Sequence, residues 1–91
     1  MFNGDFVDRG SFSAECMIAL YAFKVADPEC IYLNRGNHEN RDLNKMYGFE
    51  GEIKTKYDDE TFCLFADSFN YLPLGHIIEN KILVLHGGLF E

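Results

Sequence analysis

The stretch Lys81-Ile82-Leu83-Val84-Leu85-His86-Gly87-Gly88 decides the fold class. Four apolar residues in a row, without polar alternation, predict a strand buried on both faces, as in a sheet covered on each side. The run stops abruptly on a histidine and two glycines. Immediately upstream, Leu74 to Ile78 reads as the partner strand of a hairpin that turns at Glu79-Asn80. Before it, Asp58 or Asp59 caps a helix reaching about Tyr71, with Phe62, Phe65, Phe69 and Leu72 as its apolar stripe and Pro73 after it.

Further upstream, Asn40 to Tyr47 reads as a short helix ended by Gly48, and Gly51 weakens helix continuity nearby. Cys30 to Leu33 fits a short buried strand. Ser11 to Ala26 is helical, since Met17, Leu20, Tyr21 and Val25 recur at spacings of three and four. Ser11 and Ser13 are its candidate caps, and Asp27-Pro28 stops it. Met1 to Gly4 reads as the tail of a strand with almost nothing upstream to pair with. The order β-α-β, helices, hairpin is an α/β pattern, a piece of a layered sandwich.

The chain has 91 residues, 47% hydrophobic and 25% charged, which suits a folded domain rather than a disordered tail. A chain this short buries only about 60–65% of the surface its unfolded form exposes, so its stability is thin. Fifteen acidic residues against eight basic ones give a net charge of -7, which disfavours non-specific binding to nucleic acid or anionic lipid. No apolar run is long enough to span a membrane, and the first residues lack a signal-peptide pattern. Cys16, Cys30 and Cys63 form neither a disulfide framework nor a Cys-x-x-Cys clip. They read as reduced, mostly buried cysteines in a cytoplasmic or nuclear protein. His76 is expected to face solvent.

The chemistry gathers at three strand ends. The first strand runs into Gly4-Asp5, followed by Asp8-Arg9-Gly10. The second runs into Arg35-Gly36-Asn37-His38-Glu39, and the last into His86-Gly87-Gly88. In α/β sheets, ligands bind beyond the carboxyl ends of strands, and glycine there allows close backbone approach. Asp, Asn and His offer hard oxygen and imidazole donors that suit Mn, Fe or Zn. A carboxylate such as Asp5 has two oxygens and can bridge two cations, and paired metals activate water for in-line phosphoryl displacement. Arg9 carries the planar fork that grips phosphate. Asp8 and His38 can pair so that the carboxylate holds the ring as a proton donor.

Each element alone has a plainer explanation. Asn3-Gly4 suits a hairpin turn, Asp8-Arg9 a surface ion pair, and His86 a hydrogen-bonded core histidine. Three strand ends of the same character weigh against coincidence. Elsewhere, Asp58-Asp59-Glu60 is a solvated helix start, not a calcium loop.

Gly4-Asp5-Phe6-Val7-Asp8-Arg9-Gly10, Gly36-Asn37-His38-Glu39 and His86-Gly87-Gly88 resemble, in order and spacing, the signatures of the PPP family of serine/threonine phosphatases. Arg35, Asn44 and Tyr47-Gly48-Phe49 fit the same pattern. Phe2-Asn3-Gly4, Glu50-Gly51-Glu52-Ile53-Lys54 and His86-Gly87-Gly88-Leu89-Phe90 look like the type-5 branch. The resemblance implies a calcineurin-like metallophosphoesterase β-sandwich flanked by helices. It implies hydrolysis of phosphoserine and phosphothreonine in phosphoproteins by a two-metal-activated hydroxide, with Mn, Fe or Zn as the metals. It further implies that Asp5 bridges the metals, that Asn37 and His86 bind the second, that Arg9 binds phosphate, and that His38 is the general acid oriented by Asp8.

The family also uses an upstream Gly-Asp-x-His-Gly motif and further ligands downstream. Residues 1–91 are therefore expected to be an internal piece of the catalytic domain, truncated at both ends and inactive alone. Full-length type-5 relatives bind Hsp90 through a tetratricopeptide-repeat domain that is not expected within this sequence. The competing readings are a nucleotide or phosphodiester metallophosphoesterase and a non-catalytic truncated product.

Overall fold

The computed structural model describes residues 1–89; Phe90, quoted above, lies outside the described residues. Strand β1 (Phe2–Asn3) is followed by α1 (Ser13–Ala26), β2 (Leu33–Asn34), α2 (Arg41–Tyr47), α3 (Phe49–Lys56), α4 (Asp59–Phe69), β3 (Gly75–Ile78) and β4 (Ile82–Leu85). The α/β class expected from the sequence holds. β1 does find a partner: it pairs in parallel with β2, Phe2 opposite Leu33 and Asn3 opposite Asn34, with α1 as the crossover. β2 sits later than the apolar Cys30 to Leu33 run. β3 and β4 pair antiparallel around Glu79 and Asn80. Glu79 and Asn80 both have positive φ, 55° and 53°, and the Lys81 amide closes the turn on the Ile78 carbonyl at 3.0 Å.

The core lies between α1, α3 and α4, not under the hairpin. Phe49 is fully buried and meets the rings of Phe62, Phe65 and Phe69 at centroid distances of 6.3, 5.5 and 5.9 Å. Val7, Ala14, Met17 and Ile53 complete the cluster. Truncating Phe49 to alanine removes the ring at its centre. We expect a loss of about 3–5 kcal/mol, read from urea unfolding. Val7 matters for a second reason: it fixes the loop that carries Asp5, Asp8 and Arg9 onto this core.

Helix α3 departs from the sequence expectation, because Gly51 lies inside it. A mid-helix glycine costs about 1 kcal/mol relative to alanine. Burial of Phe49 and Ile53 outweighs that cost, and Lys54 and Lys56 reach Glu50 and Glu52 at 2.6 and 3.1 Å, each one turn away. Helix α2 begins at Asn40, whose side chain accepts from the Asp42 and Leu43 amides, and ends on Gly48 at φ 113°. Asp58 caps α4 by accepting from the Thr61 amide at 2.7 Å. That bond holds the Asp58 carboxyl below its usual value. The sign follows: a lowered folded-state value adds stability above the unfolded value and loses it as pH falls. Replacing Asp58 with alanine will therefore lower the melting temperature at neutral pH, and acidification will narrow the difference.

Neither Ser11 nor Ser13 caps α1. The N-cap is Phe12, without a side-chain bond. Glu52 does the work from α3, accepting from the Ser13 and Ala14 amides at 3.2 and 2.6 Å across a sequence separation near forty residues. Removing it as Glu52→Ala should destabilise the chain by about 1–2 kcal/mol, measurable by thermal melting. Val25 is exposed at the end of α1 rather than packed.

Three further expectations are corrected. Ile82 and Leu83 are exposed at 56% and 58%, while Val84 and Leu85 are half-buried. Among the described residues β4 pairs along one edge with β3, and the exposure of Ile82 and Leu83 shows that no helix or second sheet covers this end of the strand on both faces. All three cysteines are free and exposed, because they lie on the outer sides of α1 and α4 and in the loop before β2. His76 is half-buried: its Nδ1 bonds Asn34 Oδ1 and its ring meets Tyr32 edge-on at 5.5 Å. No helix among the described residues is long and apolar enough to cross a membrane.

Candidate active site

The loop after β1 and the loop after β2 interlock through two glycines. A Cβ on Gly4, at φ 84°, would stand 2.6 Å from Gly36 Cα and 2.8 Å from the His86 ring. A Cβ on Gly36 would land on Asp5 N and Oδ1. Only bare backbone allows this approach. In the first loop Asp5, Asp8 and Arg9 all take positive φ, at 59°, 77° and 61°. Each such residue costs roughly 1–3 kcal/mol and persists only where surrounding contacts impose it.

Glu39 supplies much of that constraint. It is fully buried, and its carboxylate accepts from three backbone amides: Phe6 at 2.6 Å on Oε1, and Asp5 at 2.8 Å and Gly36 at 2.6 Å on Oε2. One side chain thereby fastens the first loop to the second. The Arg9 amide bonds the Tyr47 carbonyl at 2.9 Å, tying the far end of the first loop to α2.

The sequence-predicted residues fall into two clusters that share Asp5. In the first, His86 Nε2 lies 3.1 Å from Asn37 Oδ1 and 3.3 Å from Asp5 Oδ2. The other ring nitrogen, Nδ1, donates to the Asn3 carbonyl. A neutral ring that donates from Nδ1 turns its Nε2 lone pair toward two oxygens. Three lone pairs facing one another repel unless a proton or a metal cation sits among them. A histidine whose second nitrogen is anchored by a carbonyl is the usual state of a metal ligand. Asp5, Asn37 and His86 therefore fit a divalent cation. Among the described residues no three His, Cys, Asp or Glu side chains assemble as a metal cluster; the third donor here is the Asn37 amide oxygen.

In the second cluster Asp8 is closed from solvent and accepts from the Phe49 amide at 3.0 Å, His38 Nδ1 at 2.8 Å and Asn44 Nδ2 at 3.1 Å. An ionised carboxylate can only accept, so His38 carries its proton on Nδ1 and presents Nε2 outward. There it meets Arg9 Nη2 at 3.1 Å. Asn44 is fully buried and also donates to the His38 carbonyl at 2.8 Å, so it fixes both partners of the pair. Asp5 Oδ1 accepts from the His38 amide at 3.1 Å, which joins the two clusters. Beside them an open cleft of about 630 Å³ is lined by Arg35, Asn37, Asn40, Leu43, Leu74 and His86.

The structure thus brings together all six residues singled out from sequence: Asp5, Asp8, Arg9, Asn37, His38 and His86. The sequence reading did not assign the parts played by Glu39, Asn44, Asn3 and Asn34. One signal was available for Glu39, an acid inside the glycine-containing motif that follows β2. The asparagines gave none, since their partners are distant in the chain.

Parallel strands joined by a helix, with carboxylate, amide and imidazole donors converging beyond the strand ends, fit a metal-dependent site of an α/β fold. The whole chain, residues 1–91, matches the calcineurin-like phosphoesterase family, to which it belongs. It is 56% identical over its full length to serine/threonine-protein phosphatase T of Schizosaccharomyces pombe, 61% to that of Aspergillus oryzae, and 58% to serine/threonine-protein phosphatase 5 of Arabidopsis thaliana. It spans 19%, 19% and 17% of those proteins respectively. A solved protein serine/threonine phosphatase from Saccharomyces cerevisiae, with similarity to human phosphatase PP5, superposes with a TM-score of 0.94 at 55% identity. That match covers 97% of this chain and 28% of the other. The resemblance read from the sequence motifs is borne out, and metal ions are implied by the family.

Proposed function

We propose that residues 1–91 form part of the catalytic centre of a protein serine/threonine phosphatase. The observation that carries this reading is the shared position of Asp5. One of its oxygens faces His86 Nε2, which also faces Asn37 Oδ1, and the other accepts from the amide of His38. Metal donors and a proton donor thus stand on opposite sides of one carboxylate. The metals, Mn, Fe or Zn by donor type, supply an activated water when bound.

The chain's own residues do the rest. Arg9 holds the phosphoryl oxygens of a phosphoserine or phosphothreonine side chain. His38 gives a proton from Nε2 to the leaving serine or threonine oxygen, and Asp8 and Asn44 keep the ring aimed. Arg9 now occupies Nε2 as a donor, so the guanidinium has to leave before the ring can hold a proton there. An arriving phosphate draws it away, and Nε2 then takes up a proton from water, so substrate binding and arming of the acid occur together. Three exposed thiols support a reducing, cytoplasmic or nuclear setting. The Hsp90 contact implied by the resemblance is assigned to a repeat domain rather than to these residues.

The test is a graft. Residues 1–91 replace the matching segment of phosphatase T from Schizosaccharomyces pombe. We expect Mn-dependent hydrolysis of a phosphoserine peptide to survive, and His38→Ala within the graft to lower kcat roughly 10²–10⁴-fold. The 91-residue chain alone should stay near background on p-nitrophenyl phosphate. An inactive graft that is folded, or an active one indifferent to His38→Ala, contradicts the assignment.

A further inference from the structure

The two sheets meet at a seam without backbone pairing: among the described residues, no main-chain hydrogen bond joins β1 or β2 to β4. Side-chain amides close it instead. Asn34 is fully buried and donates from Nδ2 to Asn3 Oδ1 at 2.8 Å and to the Val84 carbonyl at 3.2 Å. Its Oδ1 accepts from His76 Nδ1. Asn3 Nδ2 donates onward to the Leu85 carbonyl at 3.0 Å. The Asn3 carbonyl accepts from His86 Nδ1.

The direction of every bond in this chain is fixed. The Val84 and Leu85 carbonyls can only accept, so both amide side chains must present nitrogen to β4. Asn34 then has its oxygen left for His76, which must donate. At the far end the Asn3 carbonyl can only accept, so His86 must donate from Nδ1 and keep its lone pair on Nε2. That atom is the one facing Asp5 and Asn37. The competing tautomer, with the proton on Nε2, would donate to Asp5 Oδ2 and has no lone pair at Nε2 for a cation.

We propose that Asn34 and Asn3 are positioning residues that hold the end of β4 against β1 and thereby set His86 in the Nδ1–H tautomer. They act through His86 and touch neither substrate nor metal. The metal consequence rests on the functional reading above; the tautomer consequence does not.

The experiment uses the 91-residue chain and two variants. Asn34→Asp is isosteric but turns both donors into acceptors facing oxygens. Asn3→Asp loses only the bond to Leu85 and serves where Asn34→Asp does not fold. Histidine ring nitrogen NMR shifts are recorded at a pH where the rings are neutral, with circular dichroism confirming the fold. Mn binding is measured by calorimetry.

We expect the wild-type His86 ring to be Nδ1–H and the variants to shift toward Nε2–H, with Mn affinity falling roughly 10-fold, as for the loss of an outer partner of a metal ligand. An unchanged His86 tautomer in a folded variant overturns the proposal. So does Mn affinity within twofold of a binding wild type. If the wild-type chain binds no Mn while the tautomer shifts, the metal reading fails and the positioning role stands.

Discussion

Glu39→Ala will unfold or nearly unfold the chain, with an expected loss of about 3–5 kcal/mol in urea denaturation. The side chain accepts three backbone amides in the interior. Hydrogen bonds to a charged acceptor contribute about 1.5–3 kcal/mol each, and their removal strands buried donors. The sum is cut somewhat by relaxation and by water entering the gap. Glu39→Gln separates charge and geometry from simple volume. Its single amide oxygen serves the Oε2 position, where two donors converge, but its NH₂ then confronts the Phe6 amide. We therefore expect Gln to recover at most half of the alanine loss. Equal stability of Glu39→Gln and wild type would mean that the three-amide cradle is not what holds the loops together.

Gly36→Ala should be the second large effect. The new methyl would meet backbone and side-chain atoms of Asp5, with Glu39 Oε2 at 2.8 Å. Asp5 N is itself held by Glu39, so it cannot retreat without breaking that bond. The two loops must separate. We expect about 2–4 kcal/mol of destabilisation from the enforced overlap, in line with costs of overpacking and strain. Gly10→Ala is the control, because nothing lies within 4 Å of that position; its effect should stay within about 1 kcal/mol. Amide chemical shifts of Asp5 and His38 in Gly36→Ala will report whether the loops have parted.

These two residues also mark what was legible in the sequence. Local patterns placed α2 and α4, since Asn40, Gly48 and Asp58 act on amides or turns within a few residues. The Glu79-Asn80 hairpin was equally local. The six candidate site residues stood out because they lie in glycine-containing motifs that follow strands, and the structure brings them together. What failed was long range. Glu52 caps a helix from another element, which no local rule for Ser11 or Ser13 could show. Gly51 was read by propensity, whereas Phe49 and Ile53 on either side decided the matter by burial. The Ile82 to Leu85 run reads as doubly covered, yet Ile82 and Leu83 are exposed because nothing among the described residues packs over them. His76 looked like a surface residue because its partner, Asn34, lies across a seam between sheets.

Asp5, Asn37 and His86 are proposed to form one metal-binding set. The deciding experiment is calorimetric titration of Mn into the 91-residue chain, run beside Asn37→Ala and His86→Ala. Neither substitution touches the core, so both variants should fold. We expect one equivalent of weak binding in the wild type and its loss in both variants. Binding that is unaffected by either substitution would contradict it.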